Sequence, residues 1–464
     1  MSRGRELIKN TGILFMAKAS TQVISFLLLP LYTAILSTAE YGQLDIYSSL
    51  VMILIPIITL QLEQGIFRYF LTADDESGKE QVLSSAIVTI TIVGALYSVL
   101  YFIAIKLFYF QYPLIIYFYY LTIVIDSVLL QICRGFGNNV GYSISTFIST
   151  VVVISLNIVF IAQLHLGVRG ALYSSIIGHL ISCIYLCLIT HLVSYIKINR
   201  IDISCIKKML QYSIPLIFNQ ISSWVINYSD RLIVLAFLGM GFNGIYSLAC
   251  KFSNIMGAFF GVYSLAWTEN VIKCIHDGDD YKDYLNQVIT LTFKIYMCVM
   301  IGIINVLPII FKHFINSNYS EAYQQIPIQL VAMFFSGMAA TVGCIYIAHA
   351  RTRDVTVTTV LSGIVNIIIN LGLIKFIGLY AASISTLVAF MALFLYRYYD
   401  MRKFERISLK VNEVGFPVLI LILSWYAYAI QNTVLILLGL AINLLYLAVI
   451  CKKNAQNIIR LLKR

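Results

Sequence analysis

Long apolar segments separated by short polar intervals follow one another along almost the whole chain. Fourteen of them approach or exceed the roughly 20 residues that a helix needs to cross a bilayer. They lack the strict alternation of membrane strands, and a backbone in lipid must satisfy its hydrogen bonds internally. The pattern therefore predicts an all-α integral membrane protein with about 14 transmembrane helices. The approximate spans are 11–36, 44–70, 82–107, 113–133, 141–163, 170–194, 209–236, 242–270, 285–311, 324–348, 355–376, 379–399, 414–430 and 433–451.

A polar interval near the middle of the chain, 191–208, divides the apolar segments into two sets. It carries Lys197, Arg200, Lys207 and Lys208 against one acid, Asp202. We expect this interval to carry no chemistry and to leave the segments on its two sides unrestrained. The predicted domains are a six-helix lobe over 1–194, a cytoplasmic linker over 195–208, a second six-helix lobe over 209–400, a cytoplasmic loop over 401–413, and an extra helix pair with a cytoplasmic tail over 414–464.

Two pairs of short matches indicate that the six-helix unit is duplicated. Gly42 and Gly244 stand near the start of the second and eighth spans, 202 residues apart. Gly167 and Gly378 lead into the sixth and twelfth spans, 211 residues apart. Because six is an even number, two such copies have the same orientation in the membrane. They are therefore related by a pseudo-two-fold axis along the membrane normal.

Composition and charge agree with this topology. The chain is 60% hydrophobic and 11% charged, whereas soluble domains hold roughly 25% charged residues. With the N-terminus inside, 23 of the 32 Lys and Arg fall on the inner side, four outside and five within spans. That asymmetry predicts that both termini are cytoplasmic, and it explains the net charge of +11 without nucleic acid. The inner loop 73–80 is an exception, because it is acidic.

Short sequence patterns spread over nearly the whole chain resemble one transporter family. Those of the first half are Ala39-Glu40-Tyr41-Gly42, Gly65-Ile66-Phe67-Arg68-Tyr69 and Gly167-Val168-Arg169-Gly170-Ala171-Leu172. Those of the second half are Ser213-Ile214-Pro215-Leu216, Ser229-Asp230-Arg231-Leu232-Ile233, Gly244-Ile245-Tyr246-Ser247 and the stretch from Asn366 to Asn370 before Gly378. In order and spacing the set is similar to the polysaccharide transporter (oligosaccharide flippase) family of the multidrug/oligosaccharidyl-lipid/polysaccharide exporter superfamily. Tyr380-Ala381 departs from the family, which often has a second glycine there.

The resemblance implies two six-helix lobes around a central cavity, with a trailing helix pair. It implies a substrate that is an oligosaccharide linked to a polyprenyl diphosphate, moved from the inner to the outer leaflet by alternating access for surface polysaccharide biosynthesis. The expected partners are this lipid-linked oligosaccharide, the membrane lipids, and the polysaccharide polymerase and glycosyltransferases of the same pathway.

Charged residues inside the predicted spans are the candidate site, because charge in lipid is costly and points to function. Five cations lie there: Lys18, Arg68, Arg231, Lys251 and Lys294. They outnumber the acids in or near the spans, which suits a phosphate-bearing lipid, since Arg can hold phosphate oxygens through two parallel bonds. We predict that these five bind the diphosphate. A structural ion pair, or an anchor at the membrane interface, stays open as the alternative for each of them.

The acids Glu63, Asp126 and Asp230 are candidates for coupling transport to H⁺ or Na⁺, since a buried carboxylate can titrate near neutral pH. Neutralisation of nearby cations is the alternative. No other cofactor, metal centre or catalytic residue is expected. The nine Cys lack the paired spacing of a zinc site, the six His are scattered, and no Walker A sequence indicates ATP.

Two other functions remain open from the sequence. An ion-coupled multidrug or metabolite antiporter of the same superfamily would have an acidic or apolar cavity, against which the basic excess argues. A membrane enzyme of polysaccharide assembly would need a sizeable outer domain or a catalytic His/Asp set. The longest predicted outer loop, about 312–323, is too short for such a domain.

Overall fold

The computed structural model describes residues 26, 28–71, 73, 75–107, 111–276, 281–349, 351–403 and 411–463. Across these residues the secondary structure is helical, with no β-strand. The chain separates into two compact units, 1–229 and 230–464, and the boundary falls within a helix. The predicted domain limits, which place a linker at 195–208, stay a prediction.

The described residues of the first unit form eight complete helices and the start of a ninth. They are α1 Leu29–Ile35, α2 Thr38–Ile58, α3 Leu62–Leu71, α4 Glu76–Leu107, α5 Pro113–Gly135, α6 Asn139–Asn157, α7 Gly167–Thr190, α8 Leu192–Tyr195 and α9 Ile203–Leu238. A π-helical stretch, Ile158–Gln163, follows α6, and a 3₁₀ turn, Ile198–Arg200, precedes α9. In the core of the first unit, apolar side chains of α3, α4, α5, α7 and α9 pack together, among them Ile66, Leu83, Ile132, Leu186 and Met209.

In the second unit, the residues that the structure describes form the end of α9 and seven further helices. They are α10 Met240–His276, α11 Tyr281–Phe314, α12 Ser320–Ala348, α13 Thr352–Ile377, α14 Tyr380–Met401, α15 Val411–Ile430 and α16 Thr433–Lys463. A 3₁₀ turn, Ser317–Tyr319, leads into α12. Within this unit α12 packs against both α10 and α14, and α11 packs against the last two helices.

The prediction of an all-α integral membrane protein is confirmed. Twelve helical segments among the described residues are long and apolar enough to cross a membrane. They match twelve of the predicted spans, although their bounds differ by several residues. The predicted span 242–270 lies within α10, which is helical throughout. The predicted span 11–36 falls largely outside the described residues.

The predicted span 44–70 is two helices rather than one. The chain leaves helical geometry between α2 and α3, where Leu60 and Gln61 both have positive φ, 53° and 55°. Adjacent left-handed residues other than glycine are uncommon and strained, so the surrounding structure must enforce this turn. The expectation of a continuous helix was wrong because the apolar pattern runs on through Leu60 and Leu62.

The paired glycines of the second sequence match both have a positive φ angle. Gly167 and Gly378 have φ values of 55° and 58°, and each stands at or just before the start of a helix. Such left-handed positions favour glycine, which has no Cβ to clash. At Gly167 a Cβ would also lie 2.9 Å from Oε1 of Glu40. Both glycines of the match therefore lie where the backbone favours glycine.

The polar interval 191–208 is docked within the first unit by hydrogen bonds to α4. The backbone N–H of Lys197 donates to the buried hydroxyl of Ser84 (2.9 Å), and that of Asp202 donates to Ser85 (3.0 Å). The Ser84 hydroxyl in turn donates to the carbonyl of Tyr195 (3.3 Å). The start of α4 thus holds the interval through its backbone, a partner that charge counting does not reveal.

An acid of the predicted inner loop 73–80, Glu80, lies within the first turns of α4 and supplies charge to this docking. Nζ of Lys197 lies 2.5 Å from one carboxylate oxygen of Glu80, and Nε of Arg200 lies 3.6 Å from the other. The Ser204 hydroxyl and backbone lower the pKa of Asp202, so this carboxyl stays ionised at neutral pH and accepts a bond from Gln81 (2.6 Å). Glu80, one of the acids that make the predicted inner loop 73–80 an exception to the charge asymmetry, therefore attracts two cations of the 191–208 interval.

Replacing Ser84 and Ser85 together with Ala is expected to loosen this segment without unfolding the protein. Each lost backbone bond costs about 1 kcal/mol. Two of them together should raise local opening of residues 195–202 by about 30-fold, since about 1.4 kcal/mol is a factor of ten. Hydrogen exchange of the amides of Lys197 and Asp202 measures this opening.

Ser194→Ala is the matched control, because the Ser194 hydroxyl bonds only to the carbonyl of His191 in its own turn. Exchange at Lys197 and Asp202 should be unchanged in that variant. Equal exchange rates in the double variant and the wild type would show that the serines do not hold the segment.

Candidate functional site

A buried carboxylate in the second unit, that of Asp230, accepts hydrogen bonds from side chains of three other helices. Asp230 lies near the end of α9 and is 5% exposed. Its Oδ1 accepts a bond from the amide of Asn370 (2.8 Å). Its Oδ2 accepts bonds from Thr386 (2.7 Å), from the hydroxyl of Tyr246 (3.1 Å) and from the amide of Asn366 (3.2 Å). All four donors are neutral.

Local sequence explains why these donors converge. Asn366 and Asn370 are four residues apart on α13, so they lie one above the other on the same helix face. Thr386 follows on α14, which packs against α13, and Tyr246 lies in the second turn of α10. The asparagine stretch singled out by the sequence resemblance is therefore part of the Asp230 site.

A second layer of amides and hydroxyls extends the Asp230 site along α12 and α14. Nε2 of Gln329 donates to the Tyr246 hydroxyl (3.0 Å) and to the hydroxyl of Ser383 (3.3 Å). Ser383 then donates to Oε1 of Gln325 (2.7 Å). All of these side chains are buried. This layer orients the Tyr246 hydroxyl toward Asp230.

The oxygen atoms around Asp230 suit a small hard cation. No described Lys or Arg pairs with Asp230, although an uncompensated buried carboxylate is expensive. The side-chain oxygens of Asn366 and Asn370 are buried there without a hydrogen-bond partner in the described part of the chain. Together with the carboxylate and the Thr386 hydroxyl they form an all-oxygen set, the ligand type that hard cations prefer.

The first unit holds a different arrangement around Asp126 of α5. One carboxylate oxygen accepts a bond from the hydroxyl of Ser182 (2.5 Å), and the other lies 2.8 Å from Nδ1 of His179. Ser182 also shares a bond with Ser145 of α6 (2.6 Å). Asp126 was a predicted coupling residue, whereas His179 was missed, because 53 residues of sequence separate the two.

The third predicted coupling acid, Glu63, lies in the first turn of α3, just after the break at Leu60 and Gln61. Its side chain is buried, and its Oε2 has no hydrogen-bond partner among the described residues. A further buried acid that the sequence analysis did not single out is Asp45 of α2, which lies at the start of the predicted span 44–70. The coupling role of Glu63 stays a prediction.

The five predicted phosphate-binding cations occupy different surroundings. Lys18 lies outside the described residues. Arg68 is exposed at the end of α3, with its guanidinium 4.4 Å from the ring centre of Tyr212. Arg231 is buried, and Lys251 is half-buried on α10 with no ion pair to any described acid. A role in phosphate binding stays a prediction for all five.

Lys294 of α11 forms an ion pair with Glu413, in the first turn of α15. The same face of α11 donates a hydrogen bond from Asn305 to Ser424 of α15 (2.9 Å). Asn443 of α16 donates to the carbonyl of Cys298 (2.9 Å). Lys294 thus pairs with an acid among the contacts that hold α15 and α16 against α11. A phosphate bound by Lys294 would compete with Glu413.

Arg397 is a buried charged residue that the sequence analysis counted on the inner side of the membrane rather than within a span, although it falls inside the predicted span 379–399. It lies inside α14 and is 4% exposed. Its guanidinium donates to the carbonyls of Ala339 (3.0 Å) and Val355 (2.9 Å) and to the hydroxyls of Thr358 and Thr359. It therefore ties α12, α13 and α14 together through neutral acceptors.

Among the residues that the structure describes, no group of three or more His, Cys, Asp or Glu side chains converges as a metal centre. The sequence profile of the polysaccharide biosynthesis protein family matches residues 7–267, more than half of the chain. The chain belongs to this family. None of the curated proteins compared with it is a match.

Solved structures place this family member in a known transporter fold. An inward-facing multidrug resistance MATE family transporter of the MOP superfamily aligns with a TM-score of 0.70 and 14% identity, over 84% of this chain and 98% of that one. The lipid II flippase MurJ, in an inward closed conformation, aligns with a TM-score of 0.67 and 14% identity, over 97% of this chain and 98% of that one. At this identity the likeness establishes the fold.

Proposed function

We propose that this family member is a flippase that moves polyprenyl-diphosphate-linked oligosaccharide repeat units from the inner to the outer leaflet of the cytoplasmic membrane by alternating access. The match to the polysaccharide biosynthesis protein family over residues 7–267 carries the proposal. The fold supports it, since the lipid II flippase aligns over 97% of the chain. In this proposal the protein is a transporter rather than an enzyme, with both termini in the cytoplasm.

The diphosphate is the part of this substrate that most needs the protein, because its charge is costly in lipid. Lys251 is the leading contact in the proposal, since it is half-buried on α10 and pairs with no described acid. Arg68, Arg231 and Lys18 complete the basic set. Lys294 joins it only when the Glu413 ion pair opens. Membrane lipids, the polymerase and the glycosyltransferases are the proposed partners.

Coupling is assigned in this proposal to a monovalent cation, with Na⁺ the favoured ion, held by the Asp230 oxygens. Its charge would offset that of the buried carboxylate, which has only neutral donors in the described structure. Because the ligands come from α9, α13 and α14, cation binding would favour one arrangement of these helices over another.

Lys251→Ala is expected to lower transport of the lipid-linked repeat unit by at least about tenfold at normal protein level. The reason is that loss of one charge-assisted contact to phosphate costs about 1.5–3 kcal/mol. Inner-leaflet accumulation of the repeat unit in a deletion strain complemented by each variant measures this. Lys251→Arg, which keeps the charge, should retain part of the activity.

Lys375→Ala is the matched control, because Lys375 lies at the end of α13, where its ammonium stands 5.8 Å from the ring centre of Phe237. Full transport by Lys251→Ala would remove this residue from the phosphate site. Normal surface polysaccharide in the deletion strain, without inner-leaflet accumulation, would contradict the flippase function itself.

A further inference from the structure

We propose that Asp126 and His179 form a proton-binding site in the first unit, distinct in ligand and in chemistry from the Asp230 site. The proposal goes beyond the transported substrate and does not depend on its identity. It rests on the arrangement of Asp126, His179, Ser182 and Ser145, which links α5, α6 and α7.

The bonding pattern defines where the proton goes. The two oxygens of Asp126 already have partners, Ser182 at 2.5 Å and Nδ1 of His179 at 2.8 Å. An ionised carboxylate only accepts hydrogen bonds, so Nδ1 of the imidazole carries a hydrogen and donates it. Nε2 then carries the remaining lone pair of the ring and can accept a proton. A proton taken from water onto Nε2 gives an imidazolium next to the carboxylate.

The need for compensating charge favours this uptake. Asp126 is 4% exposed, and no Lys or Arg pairs with it in the part of the chain that the structure describes. A buried carboxylate without a counter-charge is unfavourable by several kcal/mol. Protonation of His179 converts a pair with one net negative charge into a neutral pair. The His179 side chain is 26% exposed, so its ring is not sealed within the unit.

The surroundings hold no described cation that takes over this role. Asp126 interacts electrostatically with Tyr142 of α6 and Cys183 of α7, neither of which is a cation. Arg134 of α5 lies two turns further along the helix, with its guanidinium over the rings of Phe67 and Tyr142. The other ionisable side chains of the unit on helices that pack against α5 and α7 include Tyr41, Asp45, Tyr47, Glu63, Arg68, Tyr119, Tyr120, Tyr173, Tyr185 and Cys187.

Protonation acts directly on the contact between α5 and α7. Without the added proton, a single anion is held by two neutral donors from α7, His179 and Ser182. With it, the same two helices are joined by an ion pair as well as by the Ser182 bond, and charge-assisted bonds are roughly twice as strong as neutral ones. Because Ser182 also bonds to Ser145, the effect reaches α6. The Asp230 site, in contrast, has no imidazole and offers only oxygen ligands.

Histidine NMR on the full chain in lipid nanodiscs tests the proposal. The chain has six His, and the resonance missing from His179→Gln identifies residue 179. We expect that resonance to shift as the imidazole takes up a proton when the pH is lowered. Asp126→Asn should weaken proton binding by at least about tenfold, since it removes the counter-charge. Ser182→Ala should change it by less than about threefold.

A His179 resonance that does not shift with pH would overturn the proposal, as would a proton affinity unchanged by Asp126→Asn. If Asp126→Asn does not fold, a Ser182→Ala, Ser145→Ala pair compared with His179→Gln tests the same contact through the pH dependence of thermal unfolding. That dependence must be lost in His179→Gln and kept in the serine variants. Asp230→Asn should leave the His179 titration unchanged, so failure of the Na⁺ assignment and failure of the proton site are separate outcomes.

Discussion

Asp230→Asn is expected to abolish the response of the protein to Na⁺. In the wild type, Na⁺ should raise the midpoint of thermal unfolding relative to choline, because a ligand that binds only the folded state stabilises it. The Asn variant keeps the shape of the side chain but loses its charge and one oxygen. We expect cation affinity to fall by at least about tenfold, or about 1.4 kcal/mol. Na⁺-dependent thermal unfolding of the purified full chain measures the change.

Asp202→Asn is the control for the Asp230 experiment. Asp202 stands just before α9, the helix that carries Asp230, and its partners Ser204 and Gln81 are outside the Asp230 site. That variant should respond to Na⁺ as the wild type does. A Na⁺ response retained by Asp230→Asn, or absent from the wild type, would contradict cation binding by these oxygens. Asn370→Ala, which removes a donor and a candidate ligand together, should weaken the response without abolishing it.

Arg397→Met is expected to destabilise the second unit by about 3 kcal/mol. The substitution keeps a long flexible side chain but removes every bond from the guanidinium to Ala339, Val355, Thr358 and Thr359. Bonds from charged groups contribute about 1.5–3 kcal/mol each, and the acceptors left behind are buried. Arg397→Lys should restore only part of the stability, because an ammonium lacks the planar fork that reaches two helices.

Arg402→Met is the control for Arg397, because Arg402 is exposed at the end of the same helix. Its effect should stay within about 0.5 kcal/mol. Gly343→Ala tests the same contact from the other side, since a Cβ there would lie 2.9 Å from Nη1 of Arg397. Thermal unfolding in one detergent compares all four variants. Equal midpoints for Arg397→Met and Arg402→Met would rule out the proposed role of the guanidinium.

Hydrophobic segment lengths were sufficient to predict the fold class, because a bilayer demands about 20 apolar residues for each crossing. They were not sufficient to locate the interruption at Leu60 and Gln61. Neither residue is a glycine or a proline, and both are compatible with a helix, so only the packed structure enforces the turn. Pro56, two residues before the end of α2, was visible but also fits a continuous kinked helix.

The candidate sites, too, could be predicted from the sequence only in part. Sequence singled out Asp126 and Asp230, since an acid within an apolar span is unusual. Their partners, His179 and Asn370, are 53 and 140 residues away, and each looks unremarkable in its own helix. Arg397 was counted with the inner-side cations because it lies close to the end of an apolar segment, where a cation usually reaches the interface. The partners of these acids and the burial of Arg397 depend on the direction in which each side chain points, which the linear pattern does not encode.

Ionic strength should act on only one part of the docking of the 191–208 interval. The Lys197 and Arg200 side chains are 47% and 49% exposed, so salt screens their attraction to Glu80. The bonds from the backbone to Ser84 and Ser85 are uncharged, and both serine side chains are buried, so they persist in concentrated salt. The segment therefore remains seated against α4 across a wide range of salt concentrations, with only its outer charges released.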